Sequence, residues 1–328
     1  MTGAMMRAVR MHALGGPEVL RYEEVPRPEP AAGEVLVRVH AAGVNPPDWY
    51  ARGGFANIPA EVRVPVPLPL IPGTDVSGVV AALGPGVTRW AVGDEVFGLL
   101  RFPSMAGRGY AQYTTAPVTD LARKPAGLGH VEAAGVPMAG LTAYQYLFER
   151  IGLDAERAPG RTVLVNGAAG GVGHFAVQLA KGLGAQVIGV ASGRHEEFLR
   201  RLGVDRFVDY TTTVVGDVVR GVDHLVDTVG GPDGHRLLPV IRPGGTLSPV
   251  FLGEYHRERA HEAGITFKGG QVRSDGQQMG ALAALIESGR LRVGVDSVFP
   301  LERAADAHRR ADRGHIQGKI VLRVAEGA

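Results

Sequence analysis

The chain reads as an α/β protein in which a β-rich first part is followed by a doubly wound parallel sheet. Three observations predict this. Short β-branched runs cut by Pro and Gly fill the chain up to Lys124. Strand and helix patterns alternate from Pro125 to Val272, and a glycine-rich turn joins the first alternating strand to its helix. Punctuated short strands belong to an irregular barrel or sandwich, and alternation belongs to βαβ units. A chain of 328 residues exceeds one ordinary core and suits two domains.

In the first part, Glu34–Val39, Gly78–Ala81 and Asp94–Gly98 are predicted strands. Prolines at 59, 65, 67, 69 and 72 bar that stretch from a central strand, so an extended surface loop is expected there. The alternating part runs as strand Thr162–Val165, helix His174–Leu183, strand Gln186–Val190, helix Glu196–Leu202 and strand Arg206–Val208. Strand Asp223–Asp227, a helix near Leu237 and strand Gly245–Pro249 complete it. The tail adds helix Met279–Ser288, stopped by Gly289, strand Val298–Pro300, helix Leu301–Arg310 and strand Lys319–Val324. A strand-bearing tail after an α/β unit predicts a return to the first domain. The expected division is therefore 1–124 with 273–328, and 125–272.

Composition removes several function classes. Lys and Arg number 35 against 33 Asp and Glu, with no basic run beyond pairs such as Arg309-Arg310, so nucleic acid is not an expected partner. The absence of cysteine excludes disulfides, thiolate nucleophiles and sulfur-ligated zinc. No apolar run approaches the roughly 20 residues of a membrane span, and the first ten residues lack a signal-peptide core. A soluble cytoplasmic protein without a membrane partner is expected. No His pair stands at helical i, i+4 spacing, and His256 and His261 read as surface residues.

The turn Asn166-Gly167-Ala168-Ala169-Gly170-Gly171-Val172-Gly173 carries the chemistry. Glycine is needed where backbone must approach a pyrophosphate without a Cβ between them. The helix that follows aims its unpaired N–H groups at the phosphates. A second strand ends roughly 20 residues on, where an acid would hold a ribose 2′-hydroxyl. Here that end reads Val190-Ala191-Ser192-Gly193-Arg194, with no carboxylate. A carboxylate repels a 2′-phosphate; Ser192 offers it a hydrogen bond and Arg194 a bidentate charge partner. The expected cofactor is therefore NADPH, with Ala169, Gly170, Gly171, Val172, Ser192 and Arg194 around it.

The sequence resembles the zinc-independent medium-chain dehydrogenase/reductases of the NADPH:quinone oxidoreductase type. The resemblance rests on Gly15-Gly16-Pro17-Glu18-Val19-Leu20, Gly43-Val44-Asn45-Pro46, Pro72-Gly73-Thr74-Asp75, Gly93-Asp94-Glu95-Val96, Gly140-Leu141-Thr142-Ala143, the glycine turn and Gly318-Lys319-Ile320-Val321-Leu322. It implies a GroES-like β domain closed by the tail, beside a Rossmann doubly wound parallel-sheet domain. It also implies Thr142 near the nicotinamide, Tyr210 near the adenosine 2′-phosphate, and homodimers or homotetramers. Zinc-dependent relatives have Cys where this chain has Asn45 and His where it has Thr74, so no metal is expected.

What remains is hydride transfer to a small electrophile. An enolate or hydroquinone anion forms as the hydride arrives, so a nearby donor helps. Asn45 is the candidate for orienting substrate and Tyr50 for donating a hydrogen bond or proton; an aromatic wall is the alternative for Tyr50. Asp48 reads as an ion-pair partner beside Arg52, and Asp75 as a turn acid. Phe251 and Leu252 follow a strand end where ligands bind in open sheets, although paired apolar residues are more often core. Lys319 reaches a phosphate or is solvated. Quinones and activated alkenes are the expected substrates. An enoyl-thioester reductase and a non-catalytic NADPH-binding protein are the alternatives.

Overall fold

Along β3 (Glu34–Val44 below), Val35, Val37 and Val39 recur at period two and all enter one apolar cluster with Val76, Val80, Val96 and Leu322. That shared face seats β3 in the core of the first part. The computed structural model describes residues 4–56 and 58–325. In chain order its strands are β1 (Met5–Met11), β2 (Leu20–Pro26), β3 (Glu34–Val44), β4 (Asp75–Leu83), β5 (Glu95–Leu99), β6 (Tyr113–Pro117) and β7 (Leu121–Arg123). Then come β8 (Thr162–Asn166), β9 (Gln186–Ala191), β10 (Arg206–Asp209), β11 (Val222–Asp227), β12 (Ile241–Pro249), β13 (Thr266–Phe267), β14 (Val295–Pro300) and β15 (Lys319–Arg323).

Two compact units result. One runs up to Leu141 and takes back Arg273–Ser288 and the chain from Val293 on; the other is Thr142–Val272 with Gly289–Arg292. In the first unit the sheet order is β14-β15-β3-β4-β5-β7, with β6 also on β3, while β1 and β2 pair separately. The tail strand β15 lies antiparallel to β3, with Ile320 opposite Val44. The proline stretch is irregular and mostly exposed apart from one short 3-10 turn, Ala60–Val62.

In the second unit the order is β10-β9-β8-β11-β12-β13, and every paired neighbour is parallel. Leu164, Ile188, Val190, Leu225 and Leu247 fill its core. Near-continuous apolar strands are what a sheet covered on both faces requires.

Several boundaries differ from expectation for local reasons. The helix expected from His174 begins at Gly171, because the turn glycines form its first turn. The segment around Leu237 is a 3-10 helix, Gly234–Val240, with Pro239 inside it, where an α-helix would lose a donor. The helix expected from Leu301 is a 3-10 turn, Leu301–Arg303, continued by Ala304–Asp312. A π-helical segment, Gln145–Ile151, was not foreseen. Among the described residues no helix is long and apolar enough to cross a membrane.

Candidate active site

In the second unit the glycine turn follows the carboxyl end of β8. From β8 the chain steps outward through β9 to β10, then returns to β11 on the other side of β8. Strand order reverses there, and such a reversal opens a crevice where ligands bind. The glycine turn lies at that point. Gly170 is the N-cap of the helix Gly171–Gly182, so the first N–H groups of that helix lie at this end of the sheet.

The turn is held from several sides. Gly167 N and Ala168 N both donate to Val190 O, at 3.1 and 3.0 Å. Gly167 adopts φ +74°, a left-handed conformation that a side chain would strain. A network absent from the sequence reading supports the neighbouring strand end. Buried Asp227 accepts from Asn166 Nδ2 (2.8 Å) and the Tyr255 hydroxyl (2.7 Å), and also from Val229 N (3.0 Å) and Gly230 N (3.2 Å). Burial, then the Asp227 charge, pushes the Tyr255 hydroxyl up, so it stays a donor.

Of the residues expected at the cofactor, Ala169 is buried, and Gly170, Gly171 and Val172 are half-buried in the turn. Ser192 precedes the 3-10 turn Gly193–His195, whose exposed Arg194 donates through Nε to His195 Nε2 at 3.1 Å. Tyr210 N donates to Ala191 O at 3.3 Å, which sets Tyr210 beside the end of β9. Tyr210 is 47% exposed. Phe251 is half-buried and Leu252 is 53% exposed, so the alternative of a core pair does not hold. Thr142 is buried in the helix Pro137–Tyr144.

The first unit holds a buried polar cluster around Asn45. Asn45 N-caps the helix Pro46–Arg52, and its N–H donates to Asp48 Oδ2 at 2.9 Å. Asp48 also accepts from Gly73 N (3.1 Å) and the Tyr110 hydroxyl (3.3 Å). Asp48 is thus a buried cap and not the ion-pair partner expected for Arg52. Arg52 instead pairs with Asp312 (3.1 Å) and meets His308 Nδ1 (3.1 Å). Asp75 opens β4 and accepts from Met138 N at 3.0 Å, tying a helix start to the sheet where a turn acid was expected.

Lys319 departs furthest from expectation. It is 4% exposed, which overturns the solvated alternative, and its ammonium donates to Val44 O (3.0 Å) and to Asn45 Oδ1. Those bonds commit the group inside the first unit, leaving a bridging role toward Asn45 in place of the expected phosphate contact. Burial pulls the Lys319 ammonium below its usual range, while the charges of Asp75 and Asp48 oppose that. Burial raises Asp48 to about 7, against the bond from Asn45 N, and raises Asp75 to about 6, against the Lys319 charge. The Asn45 amide helps hold Asp75 down, yet Asn45 Nδ2 and Asp75 Oδ2 close no bond of ordinary geometry. With Lys319 on Oδ1, the Asn45 amide is fixed with its buried Nδ2 turned toward Asp75. Thr74 Oγ1 is likewise buried without a partner.

Tyr50 is half-buried in the same helix, edge-on to Trp49 at 5.8 Å between ring centroids. Burial raises its hydroxyl above the usual range, which keeps it protonated.

Residues 31–126 match the alcohol dehydrogenase GroES-like domain, and residues 202–322 match the zinc-binding dehydrogenase domain. A chloroplastic quinone oxidoreductase of Triphysaria versicolor is 30% identical over 98% of this chain and 99% of its own. The quinone oxidoreductase structure from Coxiella burnetii superposes with a TM-score of 0.87 at 33% identity, covering 98% of this chain and all of that one.

The chain belongs to the medium-chain dehydrogenase/reductases, in their quinone oxidoreductase-like branch. Its two units are accordingly the GroES-like and Rossmann-like domains of that family. Two further family members were solved as an NAD-dependent alcohol dehydrogenase (TM-score 0.86, 34% identity, covering 98% of this chain and 100% of that one) and as a mycobacterial protein complexed with NADPH (0.84, 29%, 97% and 100%). One matched domain is described as zinc-binding, while Asn45 and Thr74 are the residues that the resemblance sets against the Cys and His of zinc-dependent members. Among the described residues no group of three or more His, Cys, Asp or Glu could hold a metal ion.

Proposed function

We propose that this oxidoreductase reduces quinones or activated alkenes such as enones and enals with NADPH in the cytoplasm, without a metal. The observation that carries the reading is the glycine turn at the strand-order reversal, with Arg194 and no acid on the end of β9. The turn fits a pyrophosphate: a Cβ on Gly173 would lie 2.2 Å from Gly167 O, so only glycine leaves the helix start this close to the turn. Ser192, Arg194 and Tyr210 gather at neighbouring strand ends, where Arg194 offers the 2′-phosphate a charge partner. Phe251 and Leu252 supply apolar surface at the end of β12, and Thr142 completes the assigned set. When bound, the nicotinamide supplies the hydride.

The chain's own groups supply the rest. Asn45, its amide oxygen held by Lys319, orients a carbonyl or quinone oxygen that gains charge, and the Tyr50 hydroxyl donates to it. Such a donor is worth most where water is excluded. Tyr50, kept protonated by burial, delivers the proton.

The direct test is NADPH oxidation followed against quinones, enones and crotonyl thioesters in parallel. Turnover of the first two supports the reading, preference for the thioester replaces it with an enoyl-thioester reductase, and binding without turnover leaves a non-catalytic protein. Arg194→Ala is expected to weaken NADPH about tenfold while leaving NADH within about twofold, as one exposed charge-assisted contact should. Equal effects on both cofactors would remove Arg194 from the 2′ site. Tyr50→Phe is expected to lower kcat about a hundredfold with the KM for NADPH unchanged. Undiminished turnover makes Tyr50 an aromatic wall.

A further inference from the structure

The end of β9 lacks an acid, but the neighbouring strand delivers one to the same turn. β10 runs parallel to β9 with Asp209 in register with Ala191. Its side chain folds back under the turn that begins at Ser192, so that a Cβ on Gly193 would sit 2.5 Å from Asp209 Oδ2. The other oxygen, Oδ1, accepts from Thr211 N (2.9 Å) and Thr211 Oγ1 (2.7 Å). These bonds from Thr211, then one from the Gly193 amide, hold the carboxyl below the usual carboxylate range. It is charged at neutral pH and next to the residue that precedes Arg194.

The 2′ side of an adenosine ribose therefore meets charges of both signs. Arg194 attracts a 2′-phosphate. Asp209 repels it, and has the chemistry that accepts a bond from a free 2′-hydroxyl. Resting on the dinucleotide reading above, we propose that Asp209 is a specificity-determining residue that restrains the preference for NADPH and sustains affinity for NADH. Its carboxylate does from the third strand of the sheet half what an acid on the second strand does elsewhere. A dinucleotide site with both charges accepts both cofactors, with the balance set by their relative strengths.

Asp209→Asn tests this on the full chain. The amide keeps an oxygen for the Thr211 bonds, removes the charge and gives up the one bond from the Gly193 amide. Dissociation constants for NADPH and NADH are measured by nucleotide fluorescence at low salt, for wild type and variant. The ratio Kd(NADH)/Kd(NADPH) is expected to rise about five- to tenfold, as removal of one exposed like charge near a dianion should, and to rise less in 0.5 M salt, at a Debye length of about 4 Å. A ratio unchanged within about twofold, or both constants weakened equally, overturns the assignment and leaves Asp209 as a turn tie. Failure of the wild-type chain to bind either nucleotide overturns the dinucleotide reading and this assignment with it. Binding with an unmoved ratio overturns this assignment alone.

Discussion

Gly173→Ala is expected to weaken NADPH binding by at least about a hundredfold and to lower the melting temperature of the second unit. The added Cβ would lie 2.2 Å from Gly167 O, 2.8 Å from Ala168 Cα and 2.9 Å from Ala168 C. All three are backbone atoms, so no rotamer change relieves the clash. The turn cannot slide away either. Gly167 N and Ala168 N are bonded to Val190 O, and Thr228 Oγ1 donates to Asn166 O at 2.7 Å. The helix start must therefore lift from the turn, and the N–H groups that would face a pyrophosphate move with it. Loss of two or three charge-assisted bonds at about 1.5 kcal/mol each accounts for a hundredfold or more. Gly182→Ala is the control: nothing lies within 4 Å of a Cβ there, and alanine in a helix gains up to about 1 kcal/mol over glycine. The measurement is an NADPH titration with a thermal melt in its presence and absence. Wild type gains about 2.7 kcal/mol at a hundred times Kd. A Gly173→Ala protein that gains as much would refute the role given to the turn.

How far the sequence revealed this site depended on how local the determinants were. The glycine turn lies within one strand–turn–helix, so its spacing alone placed it at the end of β8. The Asp227 network joins residues such as Asn166 that stand 61 positions away. Only the pairing of β8 with β11 brings these together, and no spacing in the chain announces it. Asp209 is hidden for the same reason, since only the pairing of β10 with β9 brings it beside Ala191. The helix Pro46–Arg52 was legible and missed: Asn45 at the N-cap, Pro46 at the first helical position and Asp48 at the third make a start signal. Lys319 reads as a phosphate contact or a solvated group until its strand is seen to pair with β3 and to bury Lys319, Ile320, Val321 and Leu322 in succession.

Lys319→Met is expected to destabilise the first unit by about 3–5 kcal/mol at pH 8 and by much less at pH 5. Methionine keeps most of the apolar stem and removes the charge that faces Asp48 and Asp75. Removing a buried cation whose charge offsets nearby buried carboxylates costs about as much as breaking a buried ion pair from one side, because their charge is left without compensation. The pH dependence follows from the two carboxyls. Their folded values, about 7 and about 6, lie above the ordinary 3.8. Each therefore contributes stability that is full below the unfolded value and is lost as pH rises through the folded one. Without the Lys319 charge both folded values climb further, so the loss continues to higher pH in the variant than in wild type. At pH 5 both carboxyls are largely protonated, and wild type then carries a buried ammonium with no charged partner, which narrows the gap. Urea unfolding followed by tryptophan fluorescence reads the correct unit, since the chain's 2 tryptophans, Trp49 and Trp90, both lie in the first. A destabilisation equal at pH 5 and pH 8 would show that Lys319 acts through its two bonds to Val44 and Asn45 alone. A destabilisation that grows with pH, together with a kcat reduced more than the KM for NADPH, would tie the same ammonium to the orientation of Asn45.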